Sequence, residues 1–288
     1  MPSPSPPQPP SRKVILVVCD GLRNDTAAEQ MGYLEHLVEQ QQARRSVVQA
    51  QLPTKSRPLY ETLITGLPPA VHGITHNQVV RGSQQPHLFG LAQKAGKTTA
   101  AVAFFWFSEL YNHAPFRPIL DREVDDPHLP IQHGRFYVSN DYPDPEVFVS
   151  AATLIARHQP DFLLVHPMGV DYWGHRFGSD SEPYRNQVLI QDEQLATYLP
   201  DWLEQGYVVL VTADHGMNPD RMHGGTLPLV RHVPLYLLGL SRQERESASL
   251  PPTIEQCQIA PTICQWLGLG IPPSMTVPPF LPIHHPLG

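Results

Sequence analysis

The sequence predicts an α/β fold: a mostly parallel sheet with helices on both faces. Three observations predict it. Short continuous apolar runs, VILVVCDG from Val14, DFLLVHPMG and YVVLVTADHG, each stop in turn or acidic residues. Runs of this length and valine content read as strands buried on both faces. Helix-period segments alternate with these runs, the pattern of crossover connections. Finally, Asp20, Asp171 and Asp214 each stand just past the carboxyl end of a predicted strand, where ligands bind in such sheets.

The elements follow in order. Residues 1–12 are proline-rich and read as a disordered tail, which leaves 13–288 as one catalytic domain. The first strand runs from Val14 to Gly21, and a helical pattern follows from about Thr26 to Gln42. LPTKSRPLYETLITG is a loop leading into a helix. PHLFGLAQKAGKTTAAVAFFWF is a helix, a glycine stop and a second strand. From His113 to Pro145 the chain is rich in proline, histidine and acid, and reads as a short cap or irregular excursion. SAATLIARHQ is helical and DFLLVHPMG is the third strand. SEPYRNQVLIQDEQLATYLPDWLEQG carries a long helical period. YVVLVTADHG and HVPLYLLG are the fourth and fifth strands, and CQIAPTICQWLGL is a closing helix.

Composition narrows the function. Of 288 residues, 41% are hydrophobic and 16% charged, which suits a packed globular core. The net charge of −7 and the lack of a basic stripe argue against a nucleic-acid polymer as partner. A phosphate-bearing substrate would therefore need local positive charge from a side chain or a metal. Cys19, Cys257 and Cys264 match neither a zinc spacing nor a disulfide framework. With no secretory signal and no apolar run near the ~20 residues of a membrane span, the expectation is a cytoplasmic protein with no membrane partner.

The chemistry-bearing residues cluster by motif. VTADHG sets Asp214 beside His215. VDYWGH sets Asp171 four residues before His175, so one helical turn puts both on one side. Asp20 adds a carboxylate, and His223 in MHGG follows soon after. Taken singly, each aspartate could be a helix cap or turn residue. Together they make a metal constellation. A mixed carboxylate and imidazole set suits zinc, with manganese or iron(II) as alternatives, better than calcium or magnesium.

VCDG, PTKSRPLYETLITGLPPAVHGITHN, VDYWGH and TADHGM, in this order, resemble the alkaline phosphatase superfamily, in particular its type I phosphodiesterase and nucleotide pyrophosphatase branch. The resemblance runs from about Lys13 to Met275. It implies an alkaline phosphatase-like fold and two divalent metal ions. It places Asp20, Ser56, Asp214 and His215 on the first ion and Asp171, His175 and His223 on the second, with His232 as the fallback for His223. It makes Ser56 the nucleophile, with Thr54 as competing candidate, and Asn77 a donor to a phosphoryl oxygen. A capping role for Ser56, with Pro58 at the first helical position, is the structural alternative.

Two departures bear on substrate. Nucleotide-cleaving members of the branch have aromatic residues where this chain has Arg57 and His166. Arg57 is thus expected to pair with a charged group of the substrate, and His166 to face the substrate where a stacking ring stood. Phe105, Trp106 and Glu109 are expected at the mouth. The implied activity is hydrolysis of a small-molecule phosphodiester through a phosphoserine. A phosphomonoesterase, phosphonate hydrolase or phosphoethanolamine-type transferase on the same site is the first alternative. A metal-binding regulatory protein without catalysis is the second.

Overall fold

The structure, a computed structural model, describes residues 11–247 and 250–281. Its nine strands are β1 (Lys13–Val18), β2 (Arg44–Gln49), β3 (Thr99–Phe104), β4 (Glu123–Asp125), β5 (His133–Tyr137), β6 (Phe162–Val165), β7 (Tyr207–Thr212), β8 (His232–Leu238) and β9 (Thr253–Glu255). They form one sheet in the order β4-β5-β3-β6-β1-β7-β8-β2-β9. The contiguous block from β5 to β7 is parallel, and β4 and β8 run against their neighbours.

The helices are α1 (Asn24–Gln30), α2 (Gly32–Glu39), α3 (Ser56–Thr65), α4 (Pro69–His72), α5 (Leu88–Lys94), α6 (Trp106–Tyr111), α7 (Asp144–His158), α8 (Gly169–Phe177), α9 (Glu182–Glu204), α10 (Pro228–Arg231), α11 (Arg242–Ser247) and α12 (Ile259–Trp266). Every side chain of β6 and β7 is buried, as is all of β1 after Lys13. Side chains alternate between faces along a strand, so both faces of the central sheet are covered. α7 and α9 pack on β3, β6 and β7, while α5 and α12 pack on β3 and β1.

The runs predicted as strands all form strands. β8 is antiparallel, with Pro234 opposite Val47 on β2. Several details depart from expectation. The helix expected over 26–42 is two helices that meet at Met31. Trp106 does not continue β3 but opens α6. Residues 113–145 do not stand apart as a cap, because β4 and β5 lie within them and β5 extends the parallel sheet beside β3. Of the proline-rich tail, residues 1–10 lie outside the described residues. Ser11 and Arg12 are fixed, since the Ser11 hydroxyl donates to Leu267 O at 3.1 Å and the Arg12 amide to Trp266 O at 2.8 Å.

α3 carries an unusual buried acid. Glu61 is fully enclosed and accepts hydrogen bonds from Ser83 and Tyr111. Burial pushes its carboxyl up to about 7, against the hydrogen bonds and the charge of Arg81. The folded value lies above the unfolded one. Its contribution is therefore fully present below the unfolded carboxyl range and is lost as pH climbs through the folded value. Denaturant titrations across this range should show wild type losing about 3 kcal/mol relative to Glu61→Gln. Parallel pH profiles would contradict this.

Candidate metal centre

Sheet order explains why distant stretches meet. β6, β1 and β7 are neighbours, and the chain leaves each at the same end. Asp20 follows β1, and Asp214 and His215 follow β7. β6 leads into α8, where Asp171 and His175 are one turn apart and 3.5 Å from each other. His223 returns in the loop before α10. Gly21 permits the close approach. Its φ is +76°, and a Cβ there would lie 2.8 Å from Asp171 Cα, so only glycine suits this turn.

Backbone carbonyls set the histidine tautomers. His215 Nδ1 faces Gly216 O at 3.0 Å, His223 Nδ1 faces Thr54 O at 2.7 Å, and His175 Nδ1 faces Arg221 O at 2.9 Å. A carbonyl can only accept, so each Nδ1 carries the proton and each Nε2 presents a lone pair. These lone pairs converge. His175 Nε2 and His223 Nε2 are 3.1 Å apart, which is repulsive unless a cation or proton lies between them.

The carboxylates point the same way. Asp20 Oδ1, Asp171 Oδ1 and Asp214 Oδ2 are buried with no hydrogen-bond partner, a costly arrangement without a cation. Asp171 Oδ1 is 3.5 Å from His175 Nε2 and 3.8 Å from His223 Nε2. His215 Nε2 is 3.6 Å from Asp20 Oδ1, 3.2 Å from Asp214 Oδ2 and 3.1 Å from Ser56 Oγ. Tetrahedral zinc at bond lengths of about 2.0–2.1 Å separates neighbouring ligand atoms by about 3.3 Å. Both groups fit a divalent ion. Asp171 also comes within 4.8 Å of Asp20 and His215, between the two groups. His232 opens β8 opposite Gln49 and belongs to neither group.

Electrostatics agree with geometry. Burial, then the charge of Asp20, pushes the Asp171 carboxyl well up; Asp214 responds to burial, Asp20 and Asp171 in that order. Burial also raises Asp20, but the His166 hydrogen bond and the charges of His215 and His166 bring it down to about 2. Burial pushes His215 down to about 4 and, joined by His215, His223 down to about 2. His215 and His223 are thus in their ligating form, and Asp171 and Asp214 are held up by burial and by neighbouring aspartates.

The loop before α3 separates its two hydroxyls. Thr54 Oγ1 donates to Gly225 O at 3.1 Å and accepts from Gly224 N at 2.9 Å, so it fastens the His223 turn. The N-cap is the extended Lys55, without a side-chain cap, and Ser56 is the first helical residue. The capping reading of Ser56 is therefore incorrect, and its hydroxyl turns to His215 instead. Lys55 was not anticipated. Its ammonium donates to His223 O at 3.4 Å, and its charge acts on Asp171 and His215. Its place between the two hydroxyls was the only signal. Asn77 Oδ1 accepts from the Arg57 amide at 3.1 Å.

The substrate-facing expectations need correction. Arg57 is 1% exposed, and its guanidinium pairs with Glu109 at 2.6 Å and lies over the Trp106 ring at 4.6 Å. Its charge is neutralised inside the protein, and Glu109 is buried with it rather than at a mouth. Trp106 is half-buried beneath Arg57. His166 has no exposed surface. Its Nδ1 accepts from the Phe104 amide at 3.4 Å, so Nε2–H donates to Asp20 Oδ2 at 3.1 Å. Tyr60 donates to the same oxygen. One oxygen of Asp20 is thereby occupied and the other is left bare.

His166 therefore orients Asp20, which would be a metal ligand. Such partners typically matter about 10–100-fold in metal affinity. Chelator competition on folded His166→Phe should show weakening of that order, with partial recovery in His166→Gln, whose amide can still donate. Unchanged affinity in His166→Phe would rule the role out.

Known proteins share this architecture. Murine ectonucleotide pyrophosphatase/phosphodiesterase 5, solved as an inactive variant with AMP, superposes with a TM-score of 0.68 at 14% identity, covering 91% of this chain and 96% of that one. The C-terminal periplasmic domain of EcEptC from Escherichia coli, in complex with zinc, gives a TM-score of 0.63 at 14% identity over 92% and 84% of the two chains. By sequence, the human GPI ethanolamine phosphate transferase 2 catalytic subunit is 27% identical over 92% of this chain, which spans only 27% of that relative's length. The expectation of a cytoplasmic protein does not survive this kinship, because these relatives are GPI ethanolamine phosphate transferases. Among the described residues, no helix is long and apolar enough to cross a membrane. The family model for type I phosphodiesterase / nucleotide pyrophosphatase matches residues 14–230, and the chain belongs to that family of phosphoester-acting enzymes.

Proposed function

We propose that the chain cleaves a phosphodiester by covalent catalysis through Ser56. The observation that carries this reading is the position of Ser56. Its Oγ stands at the start of α3, 3.1 Å from the lone pair of His215 Nε2 and beside bare carboxylate oxygens. When bound, two divalent ions, zinc by the chemistry of the ligands, polarise the phosphoryl group and acidify a coordinated hydroxyl. Asp20, Ser56, Asp214 and His215 would hold one ion, and Asp171, His175 and His223 would hold the other.

The remaining steps belong to the side chains. Ser56 Oγ gives its proton to water and attacks phosphorus in line, and the ester oxygen opposite departs and takes up a proton from water. The N-terminus of α3 favours negative charge at this point. Asn77 receives the Arg57 amide at its oxygen, which leaves its NH2 group to donate to a phosphoryl oxygen. Lys55 adds positive charge. The product is a diester of Ser56, which a second nucleophile then releases.

That nucleophile defines two readings. Water gives a phosphodiesterase. An acceptor alcohol gives a phosphoethanolamine-type transferase, a reading favoured by relatives named for ethanolamine phosphate transfer. A nucleotide substrate is disfavoured, because Arg57 and His166 offer no stacking face, and stacking is worth about 1–3 kcal/mol per base.

Metal-loaded Ser56→Ala should lose turnover of bis-p-nitrophenyl phosphate by about 1,000-fold or more while keeping its metal. A labelled phosphoryl group should be trapped on wild-type Ser56. Wild-type turnover in Ser56→Ala would remove Ser56 from the mechanism. Assay with and without an ethanolamine or glycan acceptor separates transfer from hydrolysis.

A further inference from the structure

A second group of ligand-type side chains stands at the other end of the sheet. Asp125 closes β4, His133 opens β5 directly across from it, and His158 is the last residue of α7. His133 pairs with Ala100 near the start of β3. The metal centre lies where the parallel strands finish, so the two groups are at opposite ends. Asp125 Oδ1 lies 2.9 Å from His133 Nδ1 and 3.6 Å from His158 Nε2, and all three ligand atoms fall within 4.8 Å of one another.

A plain hydrogen bond to Asp125 accounts for His133. It does not account for His158, whose nitrogen faces the same oxygen from beyond hydrogen-bond distance. The two separations bracket the roughly 3.3 Å expected between ligands of tetrahedral zinc. Arg135 donates to the other oxygen, Oδ2, at 2.9 Å, which turns Oδ1 toward the imidazoles. The two rings stack with centroids 3.6 Å apart at 14°. Two imidazoles and one carboxylate suit zinc, nickel or copper rather than magnesium or calcium. The partly exposed side chains leave room for water as a fourth ligand.

We propose that Asp125, His133 and His158 form a third divalent-metal site of the zinc class, which ties the β4–β5 edge to the end of α7. Binding requires the stacked rings to fan apart so that both lone pairs meet one ion. Metal-free protein, titrated with Zn2+ alone and counted by equilibrium dialysis, should bind one equivalent more than His158→Ala, and Mg2+ should not replace it. Zinc should raise the melting temperature of wild type by more than that of folded His158→Ala, in which the two ions of the main centre still bind. Equal zinc counts in wild type and folded His158→Ala would overturn the site. If His158→Ala does not fold, the near-isosteric Asp125→Asn decides by the same count, again with equality overturning it.

Discussion

The site depends on an electrostatic conflict that the protein cannot resolve alone. Three buried carboxylate oxygens lack donors, and three imidazoles present lone pairs to the same small space. His175 and His223 bring two such lone pairs to 3.1 Å. Burial and the neighbouring aspartates drive Asp171 and Asp214 toward taking up protons. Divalent ions would remove the conflict and would link metal binding to folding.

The scaffold is organised to hold that conflict in place. The adjacency of β6, β1 and β7 delivers three aspartates to one end of the sheet. Outer contacts then fix each group. Asp144 on α7 accepts from Gly169 N at 3.0 Å and from Gln187 and Gln191 at 2.7 Å, securing the start of α8 below Asp171. Gln256 donates to Asp214 O at 2.7 Å. The Thr54 hydroxyl binds the nucleophile loop to the His223 turn.

Much of this was legible in the sequence. Short apolar runs followed by turn residues declared the central strands, and the motif order named the aspartates and histidines that the fold brings together. What escaped were features without a local signature. β2, with RRSVVQ, and β4 and β5, in a polar segment, become strands only because neighbours accept their edges. The fate of Arg57 and His166 was hidden for the same reason. Arg57 is withdrawn from solvent by Glu109, 52 residues away, and His166 is turned by an amide on β3 and a carboxylate beyond β1. Such partners are known only once the chain is folded.

With these residues turned inward, Lys55 and Asn77 flank Ser56 in the chain and through the Arg57 amide, which supports the proposal of a charged phosphoryl group rather than a base as the bound group. All of this rests on two ions in the named positions. Zinc-edge anomalous diffraction from zinc-loaded crystals tests that most directly. The account predicts two peaks, one among Asp20, Ser56, Asp214 and His215 and one among Asp171, His175 and His223. A single peak, or none, among those residues would contradict it.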